Sequence, residues 1–93
     1  MEQSRRKHIQ PSAGPEKAFG RALQHFRKAR NVSQERLGLD AGYDRTFISL
    51  LERGLRSPTI RTLVRLAEVL EVCPSEIVRR MEGTLPKWRR VAL

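Results

Sequence analysis

The sequence predicts an all-α fold: a compact domain of five helices. Three observations lead there. Apolar residues recur at the spacing of a helix face, as in Phe19, Leu23 and Phe26, and again in Leu63, Leu66, Ala67 and Leu70. Ser33, Asp44, Thr59 and Pro74 stand where helices start, while Gly42 and Gly54 stand where they stop. Between them, SQERLGLDAGYDRTFISLLERG reads as a short helix, a tight glycine turn and a second helix whose faces differ in character.

Residues 1–15, MEQSRRKHIQPSAGP, mix charge with proline, serine and glycine without periodicity and read as a flexible basic arm. The first helix begins near Pro15 or Glu16, because proline is tolerated in a first turn and Glu16 complements the positive helix end. Phe19, Leu23, Phe26 and Arg30 trace one face, with Ala22 and Ala29 beside it. The helix should stop around residues 30–31, where Asn31 can take a left-handed cap.

Ser33 offers its hydroxyl to the amide of Glu35 or Arg36 and so caps a second helix over 34–41, which turns Leu37 and Ala41 to the core. Gly38 lowers helix propensity there by about 1 kcal/mol, a loss that a closer approach of the third helix would offset. Gly42 supplies the turn, Asp44 caps a third helix over 45–53, and Gly54 ends it. Residues 55–58 form a loop, and Thr59 caps a fourth helix with the Leu63–Leu70 stripe. Pro74 and Ser75 open a fifth helix with Ile77, Val78 and Met81 apolar, and Gly83 and Pro86 end regular structure. The organisation is thus an arm (1–15), a folded domain (16–82) and a tail (83–93).

Nineteen basic residues against ten acidic give a net charge of +9 over 93 residues, a balance that favours polyanions through counterion release. Lys and Arg minus Asp and Glu give +2 for residues 1–15, +4 for 16–30 and +3 for 83–93. The 33–54 segment is near neutral, as suits a reader of base edges flanked by segments that grip phosphate. Cys73 has no partner for a disulfide and reads as a small buried or half-buried apolar residue at the end of a helix stripe. His8 and His25 lack partners at ligand spacing, so neither a metal nor a cofactor is expected. With no long apolar run after Met1 or elsewhere, the expectation is a cytoplasmic protein that does not engage a membrane. No Ser/His/Asp or Cys/His set, paired-carboxylate site or phosphate-binding glycine loop points to an enzyme.

On the third helix Ile48, Leu51 and Phe47 face one way, and Arg45, Thr46, Ser49 and Leu50 the other. That is the layout of a helix-turn-helix, in which one helix is pinned to a core while its far side reaches DNA bases.

Gly20, Leu23, Arg27, Ser33-Gln34, Leu37, Ala41-Gly42, Ile48-Ser49, Leu51-Glu52-Arg53-Gly54, Pro58, Leu63, Leu66-Ala67 and Leu70 together resemble the lambda repressor/Cro-type helix-turn-helix family of phage and bacterial regulators. The resemblance covers about residues 18–82, and RTFISLLERG followed by SPT looks particularly like the small repressors and restriction–modification controller proteins. It implies that Arg45, Thr46, Ser49 and Leu50 read base edges in double-stranded DNA. Arg45 suits either guanine O6 and N7 or a phosphate, and Leu50 either a thymine methyl or packing against the loop. Gln34, Arg53, Arg56, Ser57 and Thr59 are implied phosphate contacts, while Tyr43 lies beside the backbone or staples the start of the helix. Arg27 and Glu52 match an ion pair that sets the angle of the reading helix.

A single reading helix spans too few base pairs for genomic specificity, so a homodimer on a near-palindrome is expected. Val72, Ile77, Val78, Met81, Leu85, Trp88 and Val91 are the expected dimer surface. The function implied is a transcriptional regulator, most simply a promoter-occluding repressor, with no small-molecule ligand expected. A toxin or RNA polymerase is a further conceivable partner, and the rival function is an antitoxin whose flexible end wraps a toxin while the domain binds operator DNA.

Overall fold

The computed structural model describes residues 14–85 and forms five helices, α1 (Pro15–Ala29), α2 (Gln34–Ala41), α3 (Arg45–Glu52), α4 (Ile60–Leu70) and α5 (Pro74–Gly83), with no strand among the described residues. Local chemistry places the starts. The Ser33 hydroxyl accepts from the Arg36 amide at 2.9 Å, the Asp44 carboxylate from the Phe47 amide at 2.9 Å, and the Thr59 hydroxyl from the Thr62 amide at 3.0 Å. Each satisfies an amide that helix geometry leaves without a carbonyl. Asp44→Ala should therefore lower the urea midpoint by an amount equivalent to about 1 kcal/mol, with no change in the slope of the transition.

The ends follow the left-handed positions. Gly42 (φ 84°) turns the chain from α2 towards α3, and Asn31 (φ 63°) redirects it after α1. Glu71 (φ 60°) ends α4 in the same conformation, a position with no signal in its side-chain type. Its exposed carboxylate accepts from Arg30 Nη1 at 2.8 Å, and that hydrogen bond together with the guanidinium charge holds the Glu71 pKa below the ordinary carboxylate value.

The core is one cluster. It takes Phe19, Ala22 and Leu23 from α1, Leu37 and Ala41 from α2, Ile48 and Leu51 from α3, Leu66, Ala67 and Leu70 from α4, and Ile77 from α5. Helix α1 packs on α3 and α5, α2 on α3 and α4, and α4 on α5. Each Leu or Ile removed from water contributes about 1.5–3 kcal/mol, so this stripe-to-stripe burial, rather than helix propensity, carries the fold.

Four expectations need correcting. On α1, Arg30 and Ala29 are exposed, and the buried basic residue is Arg27: the stripe drifts around the helix, and Arg30 lies past its last turn. Helix α3 ends at Glu52, with Arg53 as its cap rather than its last residue. Cys73 is exposed, because the turn at Glu71 closes the α4 stripe at Leu70 and leaves Cys73 as the N-cap of α5, its amide donating to Glu76 Oε1 at 3.3 Å. Gly38 is buried, and the chain that presses on it is the segment leading into α3. A Cβ on Gly38 would lie 2.5 Å from the Tyr43 carbonyl oxygen, and the Tyr43 amide donates to the Gly38 carbonyl at 2.8 Å.

Candidate nucleic-acid interface

Helix α3 divides its two faces as sharply as eight residues allow. Ile48 and Leu51 are fully buried, whereas Arg45 and Thr46 are exposed and Ser49 and Leu50 half-buried on the outward side. Phe47 closes the inner edge: it packs against the core, its ring centroid lies 5.0 Å from that of Tyr43, and the Arg56 guanidinium sits 5.5 Å above it. That cation–π contact holds Arg56 beside the helix it would serve.

The inner face is also locked electrostatically. Arg27 of α1 grips Glu52 at the end of α3 through two hydrogen bonds, Nε to Oε2 at 2.6 Å and Nη2 to Oε1 at 3.0 Å. Its third arm donates to the Val32 carbonyl at 2.9 Å, and Gln34 Nε2 donates to Glu52 Oε1 at 2.9 Å. Arg27 is 8% and Glu52 6% exposed, so both charges are desolvated and depend on these partners. One ion pair thus ties together α1, the α1–α2 connection, the first residue of α2 and the last of α3.

The remaining candidate residues fall around this unit. Arg53 follows α3, and Arg56, Ser57 and Thr59 occupy the connection to α4, all exposed. The Tyr43 hydroxyl shares a hydrogen bond with Thr62 Oγ1 at 3.0 Å, and the Arg65 guanidinium lies 5.8 Å above its ring, so Tyr43 braces the entry to α3 against α4. Of the residues expected at a dimer surface, Ile77 is fully buried within its own core, so its side chain cannot meet a second copy. Val72 and Met81 are half-buried against that core and Val78 and Leu85 are half-buried, whereas Trp88 and Val91 lie outside the described residues.

Sequence reasoning missed three supports: Gly20, Thr62 and the second role of Gln34. A Cβ on Gly20 would meet the Leu51 carbonyl oxygen and lie 2.5 Å from that of Glu52, so α1 touches the backbone of α3 directly. Gly20 stands in the motif, but its reason is a contact that no spacing displays. Among the described residues no group of three or more His, Cys, Asp or Glu side chains could hold a metal ion, and no helix is long and apolar enough to cross a membrane.

The helix-turn-helix family model matches residues 23–77, from the middle of α1 into α5. The chain belongs to the helix-turn-helix family. Within that family it is of the Cro/C1 type, a DNA-binding transcriptional regulator, with α2 and α3 as the helix-turn-helix unit. It is 34% identical over 68 residues to an uncharacterized HTH-type transcriptional regulator, y4dJ, of Sinorhizobium fredii, covering 73% of this chain and 88% of that one. It is 31% identical over 61 residues to the control protein C.BamHI of Bacillus amyloliquefaciens, covering 64% and 75% of the two chains. The crystal structure of the restriction–modification controller protein C.AhdI from Aeromonas hydrophila superposes with a TM-score of 0.68 at 32% identity, over 71% of this chain and 96% of that one. The clp gene regulator ClgR from Corynebacterium glutamicum, at 21% identity and a TM-score of 0.77, shares the fold.

Proposed function

We propose that this helix-turn-helix protein is a sequence-specific repressor that binds a near-palindromic operator as a homodimer and blocks a promoter in the cytoplasm. The observation that carries the reading is the division of α3: Ile48, Leu51 and Glu52 are buried and locked, while the side chains of Arg45, Thr46, Ser49 and Leu50, exposed or half-buried on the other side, make no hydrogen bond or ion pair among the described residues. A rigidly held helix with a small variable face is what major-groove recognition requires. Arg45 is assigned to a base edge, Leu50 to a thymine methyl, and Arg53, Arg56, Ser57 and Thr59 to phosphates on the flank, with Gln34 and Tyr43 at the backbone through the elements they brace.

Dimerisation is supported by apolar surface at one end of the domain. Ile60 is 75% exposed and Val64, one turn along α4, 38% exposed. Beside them runs an apolar groove between α1, α4 and α5 that includes Val78 and Met81. Two copies related by a two-fold axis would set their α3 helices about 34–36 Å apart, one turn of duplex.

Selection of bound sites from random duplexes tests the reading. An inverted repeat recovered by a species that sediments as a dimer is expected, and salt-sensitive binding without sequence preference would overturn it. Arg45→Ala should relax preference at one base position by about 1–3 kcal/mol, whereas Arg56→Ala should weaken all duplexes alike and flatten the salt dependence by about 0.9 in log–log slope.

A further inference from the structure

An open cleft of about 550 Å³ runs between α1 and the reading helix, with Lys17, Arg21 and Gln24 on one wall and Gln34, Ser49 and Arg53 on the other. Lys17 and Arg21 are one turn apart on α1, and Gln24 continues the same edge. The carboxylate in the cleft belongs to Glu52, and both of its oxygens are already held by Arg27 and Gln34. Among the described residues, none of the cations Lys17, Arg21 and Arg53 forms an ion pair. Among the described residues the cleft therefore carries positive charge without a paired carboxylate, together with two neutral hydrogen-bonding groups, Gln24 and Ser49.

Backbone packing fixes its width. Gly20 admits the carbonyls of Leu51 and Glu52, and a Cβ on Gly54 would lie 3.0 Å from the Lys17 Cα, so the first turns of α1 rest directly against the chain leaving α3. Ser49 is a wall of the cleft and also one of the outward residues of α3, so the cleft opens on the side from which bases would be read. An anionic strand bordering the groove would pass over it. The wide opening and the lack of an enclosing apolar wall suit a backbone segment rather than an enclosed small molecule.

We propose that Lys17 and Arg21 of α1, with Arg53 opposite, clamp a backbone phosphate of the duplex at the edge of the half-site, outside the bases read by α3. The proposal rests on the DNA-reading function above. It extends the phosphate contacts from Arg53 and the α3–α4 connection to α1. Helix α1 thereby does two tasks, one edge supporting α3 through Arg27 and another gripping the duplex.

The test uses the full chain and a duplex selected by the wild type. Lys17→Gln with Arg21→Gln is expected to lower the log–log salt slope of binding by about 0.9, the share of one phosphate, with the selected sequence unchanged. Ethylation of one flanking phosphate should weaken wild-type binding but leave binding by this variant unaffected. Arg21→Gln alone, at an exposed position, should lower the slope in the same direction by a smaller amount and serves if the double variant proves unstable by circular dichroism. Arg79→Gln with Arg80→Gln on α5 removes the same charge away from the cleft and should keep the ethylation pattern. An unchanged slope, or a variant that keeps the full wild-type ethylation pattern, overturns the clamp. Failure of the wild type to select any duplex overturns the DNA-reading function instead.

Discussion

Glu52→Ala is expected to destabilise the domain by about 3–5 kcal/mol, because it leaves the buried Arg27 guanidinium without its counter-charge. The Arg27 side chain is 10% exposed, so water cannot replace the two lost hydrogen bonds, and the Val32 carbonyl satisfies only one arm. Gln34 loses its acceptor in the same step. Domains of this size are stable by about 5–15 kcal/mol, so the variant should melt far below the wild type. What remains folded should bind every duplex more weakly, since the end of α3 is no longer tied to α1. Replacing both partners by apolar residues of similar size, Arg27→Met with Glu52→Leu, should recover much of the stability, because it removes the orphaned charge instead of creating one. Chemical denaturation followed by circular dichroism measures both, and a Glu52→Ala midpoint equal to the wild type would show that the pair carries no such energy.

Gly20→Ala is the second large effect, and its sign runs against propensity. Alanine inside a helix normally gains about 1 kcal/mol over glycine. Here the added methyl falls against the carbonyl oxygens of Leu51 and Glu52 and 2.8 Å from the Glu52 carbonyl carbon. These are backbone atoms, which cannot rotate away as a side chain would. Helix α1 must lift from the end of α3, and overpacking of this kind costs about 1–3 kcal/mol beyond the lost propensity gain. The shift also pulls Arg27 from Glu52, so DNA affinity should fall by more than the unfolded fraction explains. A raised melting temperature for Gly20→Ala would falsify the close approach.

What the sequence disclosed follows the range of the interactions concerned. The caps at Ser33, Asp44 and Thr59 bond an amide three residues on, so their residue types announce them. The turn at Gly42 and the two faces of α3 are local in the same sense. Glu71 takes its left-handed turn without a telling side chain, and that turn is why Cys73, read as part of an apolar stripe, is exposed. The spacing that joins Phe19, Leu23 and Phe26 also reaches Arg30, yet the helix ends before it. Ile77 has the residue type of a dimer surface as much as of a core, and only the packing of α5 on both α1 and α4 decides that it is enclosed. The contacts of Gly20 with α3, of Gln34 with Glu52 and of Tyr43 with Thr62 join residues far apart in the chain, so no local pattern carries them.

The outward side of α3 has a consequence for how such regulators diversify. The side chains of Arg45, Thr46 and Ser49 make no hydrogen bond or ion pair with the rest of the described chain, and none of them belongs to the core. On the proposed function, exchanges there would alter what is bound while leaving folding almost untouched, so a change of operator would meet little opposition from the requirements of stability. Arg27, Glu52 and Gly20 are the reverse case, since each change there is paid in folding whatever the operator. On that function the target preference of this scaffold can change without a matching change in its supporting framework, and Leu50, half-buried between the two faces, is the position where both demands meet.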